Sequence, residues 1–101
     1  MLAIIGGSGL YSLGEDFELE EQIPRNTPCG DTSADILLGR WQDIPLAFLP
    51  RHGPGHRVPP HRVNYRANIW ALKQLGVAQI IAVNAVGGIT ADSPPLTLVL
   101  P

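Results

Sequence analysis

The chain opens with a short apolar run, residues 2–5, stopped by Gly6-Gly7, the pattern of a buried strand. Between positions 17 and 23 apolar and acidic residues alternate: Phe17, Leu19, then Ile23 after a slip of phase. That predicts a half-exposed strand. Residues 34–38 and 46–49 are two further apolar runs, separated by Trp41-Gln42-Asp43-Ile44-Pro45, a spacing that suits a hairpin. The period then lengthens. Tyr65, Ile69, Leu72 and Leu75 recur every three or four positions, so a helix is expected over about 63–75 with these four on its apolar stripe. Arg62, Arg66 and Lys73 fall on another side. Pro59-Pro60 precedes the helix, Gly76 is its stop signal, and Lys73 complements the dipole of the last turn. Residues 80–83 predict another strand, and 96–100 form a last strand-like run.

Several strands, then a helix feeding directly into a buried strand, imply an α/β protein with a mixed, partly parallel sheet flanked by helices. The 96–100 run calls for neighbours on both faces. Either earlier elements cover it as an edge strand, or the chain is the N-terminal piece of a longer enzyme.

Composition narrows the function classes. The 101 residues leave room for one domain and no second independent core. A hydrophobic share of 45% beside 16% charged residues is that of an ordinary globular protein. A net charge of −2 gives no footprint for nucleic acid. No basic run or long apolar segment points to a membrane, and the start lacks the basic leader of a signal peptide. The single cysteine, Cys29, rules out a disulfide framework and makes a reducing, cytoplasmic setting the default. Cys29 itself reads as a small packed residue. Trp41 and Trp70 read as core or interface residues, and Glu15, Asp16, Glu18, Glu20 and Glu21 as a solvated acidic stretch.

Three segments carry chemistry. Gly6-Gly7-Ser8-Gly9 follows the first strand, where amides of a glycine loop can converge on phosphate oxygens and the Ser8 hydroxyl adds a donor. It is neither a P-loop nor a dinucleotide fingerprint, and a tight turn without ligand fits it as well. Pro50-Arg51-His52-Gly53-Pro54-Gly55-His56-Arg57 follows another apolar strand. Arg51 offers a planar fork for phosphate; His52 and His56 can donate to an anion or a sugar hydroxyl. A solvated basic turn is the plain alternative. His52, His56 and His61 lack a neighbouring carboxylate or cysteine, which disfavours a metal. Asn84-Ala85-Val86-Gly87-Gly88 sits at the end of a third strand, where small residues let a backbone pass close to a ligand and Asn84 can hydrogen-bond to it, or where the chain simply turns. No Gly-x-Ser-x-Gly elbow supports a serine hydrolase. Strand ends are where α/β proteins place ligands, and one crevice gathering all three segments is the expectation.

These segments also resemble a known family. Ile4-Ile5-Gly6-Gly7-Ser8-Gly9-Leu10, Arg51-His52-Gly53 with His56, and Val63-Asn64-Tyr65-Arg66-Ala67-Asn68-Ile69-Trp70-Ala71-Leu72-Lys73 are similar to the methylthioadenosine phosphorylase branch of the purine nucleoside phosphorylases. Asn84-Ala85-Val86-Gly87-Gly88-Ile89 is closer to the S-methyl-5′-thioinosine phosphorylases. The resemblance implies a purine nucleoside phosphorylase-like fold, of which residues 1–101 are the N-terminal part of a single domain. It implies a pentosyltransferase of purine salvage: phosphate attacks a 5′-methylthio purine nucleoside, S-methyl-5′-thioinosine before S-methyl-5′-thioadenosine or general purine nucleosides. The products are free purine and 5-methylthioribose 1-phosphate. Carried over, Ser8, Gly9, Arg51, His52, Asn84 and Ala85 would bind phosphate. Ala85, Val86, Gly87 and His56 would line the nucleoside, with His56 near the sugar's 5′ end at a subunit boundary of a homotrimer. No catalytic residue is assigned, and no metal or cofactor is implied beyond phosphate as co-substrate. Family members are longer, with base-reading acidic residues beyond position 101. Ala91-Asp92-Ser93-Pro94-Pro95-Leu96 also replaces a Gly-Pro-Gly-Asp-like turn. A truncated, non-catalytic phosphate-binding or assembly module is therefore the alternative.

Overall fold

A computed structural model describes all residues from Met1 to Pro101. The first strand, β1 (Leu2–Gly6), lies inside a five-stranded sheet rather than at its rim. Next come β2 (Phe17–Ile23), two short paired strands β3 (Asn26–Thr27) and β4 (Gly30–Asp31), then β5 (Ile36–Trp41) and β6 (Ile44–Pro50). A turn at Pro54–His56 and a single turn of 3-10 helix at Pro60–Arg62 lead into α1 (Tyr65–Gln74), and β7 (Gln79–Ala82) follows. The order across the sheet is β2-β5-β6-β1-β7. β1 runs parallel to both β6 and β7, while β2, β5 and β6 are antiparallel, so the sheet is mixed as expected.

Local chemistry explains the strand boundaries. The slip of phase in β2 is a bulge: the register to β5 shifts between Leu19 and Glu21. The hairpin turn is two residues long, because Trp41 pairs with Ile44 inside the ladder. Gln42 and Asp43 both have positive φ, 48° and 66°, matching the twist a tight hairpin requires. Thus Trp41 and Ile44 belong to strands, and the run expected at 34–38 becomes a strand only from Ile36. Ala34 is nonetheless buried, just ahead of it.

The helix begins later than expected because Asn64 caps it. Its Oδ1 accepts from the Ala67 amide at 3.1 Å, and its Nδ2 donates to the Cys29 carbonyl at 2.9 Å. At the other end Val77 donates to the Leu72 carbonyl and Gly76 to that of Lys73, with Gly76 at φ 82°. This is a glycine-dependent Schellman closure.

The helix face against the sheet differs from the expected stripe. Ala67, Asn68, Ala71 and Leu72 are buried, whereas Tyr65 is 57% and Ile69 49% exposed. Two alanines lie on the buried face, and the larger Tyr65 and Ile69 line a groove with Ile80 and Ala82 of β7. Asn68 tolerates burial because both ends of its amide are satisfied: Oδ1 accepts from the Ser33 amide at 3.0 Å and Nδ2 donates to Ser33 Oγ at 3.2 Å. The core beneath α1 is Ala3, Ile5, Ala34, Ile36, Ala47, Leu49, Ala71 and Leu72, with Trp70 and Leu75 packed at its edge.

The expected strand at 96–100 does not form. Leu96, Leu98 and Leu100 are almost wholly exposed, and no strand pairs with them. Pro94 and Pro95 remove two ladder donors, and Leu96 adopts φ 69°, a left-handed conformation that breaks an extended run. No helix is long and apolar enough to cross a membrane.

Candidate anion site at the strand ends

Gly6 and Pro50 are paired at the ends of β1 and β6, so the next residue, Arg51, places its amide on the Gly6 carbonyl at 2.8 Å. The Arg51 side chain then crosses the end of β1, and Nη1 donates to the Val83 carbonyl at 3.3 Å. Val83 in turn donates its amide to the Ile5 carbonyl at 2.9 Å. One arginine thereby stitches three strand ends together. Gly7 has to be glycine here. A Cβ at that position would collide with the Val83 carbonyl and lie 2.7 Å from Arg51 Nη2.

The loop beyond Gly7 closes as a turn, Leu10 amide to Gly7 carbonyl at 3.0 Å, with Ser8 and Gly9 exposed at its corner. Gly9 takes φ 88°, and neither the Ser8 nor the Gly9 amide has a protein partner. No carboxylate lies within ion-pair distance of Arg51; the one ion pair in the chain joins Arg25 and Asp31. An uncompensated guanidinium against Gly7, at the start of a loop whose next two amides are unpartnered, is an arrangement that favours an oxyanion. Asn84 shares a groove of about 310 Å³ with Arg51, Ile5, Ile80 and the exposed side of α1.

The histidines occupy the other flank of the same loop. His52 is 5% exposed; its Nδ1 lies 2.9 Å from the Val58 carbonyl, an acceptor only, so Nδ1 carries the hydrogen. Its Nε2 has no protein partner, yet is not sealed from solvent. His56 stacks on the His52 ring, centroids 4.4 Å apart and planes 23° apart. A second pocket, about 460 Å³, opens beside them between Tyr11, Gly53, Pro54, Arg57 and Val58.

The structure therefore brings the glycine loop, Arg51 and the Val83–Asn84 strand end together. His52 and His56 form a stacked pair beside them. Ala85, Val86 and Gly87 are exposed and make no hydrogen bond to the rest of the site. Sequence reasoning passed over Tyr11, whose hydroxyl lies 2.9 Å from His56 Nδ1 across 45 positions of chain. It also passed over Asn68, although a polar residue on a helix face otherwise made of small and apolar residues was a visible signal.

The sequence model of the phosphorylase superfamily matches residues 1–101. The chain belongs to that superfamily. This phosphorylase-superfamily chain is 53% identical over 100 residues to the S-methyl-5′-thioadenosine phosphorylase of Hyperthermus butylicus, covering 99% of the chain and 36% of that relative. It is 56% identical over 87 residues to the "Probable S-methyl-5′-thioinosine phosphorylase" of Pseudomonas syringae pv. tomato, covering 86% of the chain and 35% of the relative. Among solved structures, a variant of adenosine/methylthioadenosine phosphorylase in its apo form superposes with a TM-score of 0.84 at 42% identity, over 93% of this chain and 32% of that one. A methylthioadenosine phosphorylase from an Antarctic soil metagenomic library gives 0.70 at 49% identity, over 80% of this chain and 28% of that one. The fold is thus that of the N-terminal region of these enzymes, and the chain spans about a third of the length of the curated relatives it matches.

Proposed function

We propose that the site belongs to the phosphorolysis of a 5′-methylthio purine nucleoside, with S-methyl-5′-thioinosine as the substrate. In that reaction a phosphate oxygen forms a bond to the anomeric carbon as the bond to the purine nitrogen breaks. The purine leaves with the electron pair and acquires a proton, and 5-methylthioribose 1-phosphate remains. The transition state has the oxocarbenium character of other glycosidic cleavages. Phosphate held beneath it is at once the aligned nucleophile and the counter-charge. Arg51, the Ser8 and Gly9 amides, the Ser8 hydroxyl, His52 and Asn84-Ala85 hold the phosphate; His56, Ala85, Val86 and Gly87 face the nucleoside. Neither a metal nor an organic cofactor takes part.

The observation that carries this reading is Arg51: held on the Val83 carbonyl, free of any carboxylate, and set against Gly7 at the start of the glycine loop. Similarity to phosphorylases of both thioadenosine and thioinosine supports the substrate class. The segment from Asn84 to Gly88 favours thioinosine within it. The groups offered to the anion all lie on this chain's own strand ends, which also fits a second reading, a phosphate-binding module without turnover.

Thermal unfolding with and without inorganic phosphate tests the site. Phosphate at about 100 times its Kd should stabilise the chain by about 2.7 kcal/mol, and Arg51→Ala should abolish that gain. A variant stabilised as much as the parent would remove Arg51 from the site. Purine release from S-methyl-5′-thioinosine and S-methyl-5′-thioadenosine, with phosphate present and absent, decides between the substrates. Stabilisation without release from either supports the binding module.

A further inference from the structure

Tyr11 directly follows the turn that presents Ser8 and Gly9, and His56 lies on the segment that begins with Arg51. The contact between their side chains joins the two loops of the anion site: hydroxyl to His56 Nδ1 at 2.9 Å, rings edge to face at 6.1 Å. The backbone is shaped for it. Gly53 and Gly55 have φ of 73° and 66°, and His56 itself adopts 56°, a left-handed conformation uncommon for a residue with a side chain. The bond from the Val58 amide to the His52 carbonyl, at 2.8 Å, folds the segment back so that His56 lies over His52.

The two histidines are not equivalent. His52 is buried and already donates through Nδ1, so it can give a hydrogen bond to an anion through Nε2 only by carrying a second proton. A stacked neighbour at 4.4 Å accommodates that charge on its π face only while it stays neutral itself. The Tyr11 hydroxyl can accept from His56 Nδ1–H or donate to a bare Nδ1, and only donation requires the neutral ring. The charged side chains lining the adjoining pocket are Arg25, Asp35 and Arg57, and none of them bonds to either histidine.

We propose that Tyr11 is a positioning residue for the anion site: its hydroxyl holds His56 as a neutral ring against His52, leaving His52 to present Nε2–H to phosphate. This rests on the phosphate reading above. It adds a residue that acts through another and touches no substrate.

The test is a titration of the 101-residue chain, labelled with nitrogen-15 at histidine, with inorganic phosphate. Imidazole shifts report tautomer and charge ring by ring. With phosphate bound, His52 should carry hydrogen on both nitrogens, while His56 stays neutral with Nδ1 as acceptor. Tyr11→Phe keeps the ring and removes the donor. It should shift the His56 Nδ1 signal and raise the phosphate Kd by about three- to tenfold, with thermal unfolding unchanged in the absence of phosphate. Adding Tyr11→Phe to His56→Ala should weaken binding no further. Unaltered affinity in Tyr11→Phe, a proton taken by His56 instead of His52, or additive losses in the double variant would each overturn the proposal. Should Arg51→Ala abolish binding while Tyr11→Phe leaves it intact, Tyr11 alone is refuted and the phosphate site stands. If no imidazole of the unsubstituted chain responds while phosphate still stabilises it against unfolding, the Tyr11 proposal falls and the phosphate reading stands; without that stabilisation the phosphate reading falls as well.

Discussion

β6 and β7 flank the same strand, both parallel to β1, and both were legible as apolar runs, yet their environments are opposite. Every residue of β6 from Leu46 to Pro50 is buried, whereas all four residues of β7 are exposed. Hydrophobicity does not account for this, since Ile80 and Ile81 are as apolar as Leu46 and Leu49. Position does. β6 has a strand on each side and α1 over the face that carries Ala47 and Leu49, while β7 is an edge with one neighbour. The chain thus has a closed half, where β6 is buried between its neighbouring strands and beneath α1, and an open half running from β7 into the extended tail.

That contrast can be broken by substitution. The largest effect is expected at Leu49, which is fully buried in the core. Leu49→Ala should cost about 2–5 kcal/mol in urea unfolding, through lost transfer energy and the cavity left behind. A smaller loss is expected at Asn68, where Asn68→Ala would leave the buried Ser33 amide without its acceptor. The expected cost is about 1–3 kcal/mol, from an unsatisfied buried donor. The smallest belongs to the open half. Ile81→Ala should stay within about 0.5 kcal/mol, as substitutions away from packed features do. Were Ile81→Ala as costly as Leu49→Ala, the division into closed and open halves would be wrong.

How much was legible follows the same division. Local signals read well: the glycine stop after β1, the slip in β2 that is a real bulge, the hairpin, and Gly76 closing α1. They succeed because turn chemistry and strand alternation are properties of a few adjacent residues. The misreadings concern what lies opposite. The stripe of Tyr65, Ile69, Leu72 and Leu75 follows helical period, but the buried face is Ala67, Asn68, Ala71 and Leu72, small or polar residues that a search for large apolar ones passes over. The 96–100 run has strand-like composition, yet Leu96 at positive φ after two prolines cannot join a ladder. At the site, the glycine loop, Arg51 and Asn84 were singled out because strand ends are visible in sequence, and the fold does gather those strand ends. Tyr11 was not, because nothing local connects it to His56, and only the fold brings the two together.

The sheet's two outer strands differ in a way that concerns growth. β2 carries Glu18, Glu20 and Glu21, all exposed, so a second sheet approaching that edge meets like charge. Natural proteins guard edges in this fashion. β7 carries Gln79, Ile80, Ile81 and Ala82, without a charge, a proline or a bulge, and presents an open row of backbone donors and acceptors. The ladder therefore has a polarity: one end is open to a further strand, and the other carries a row of carboxylates.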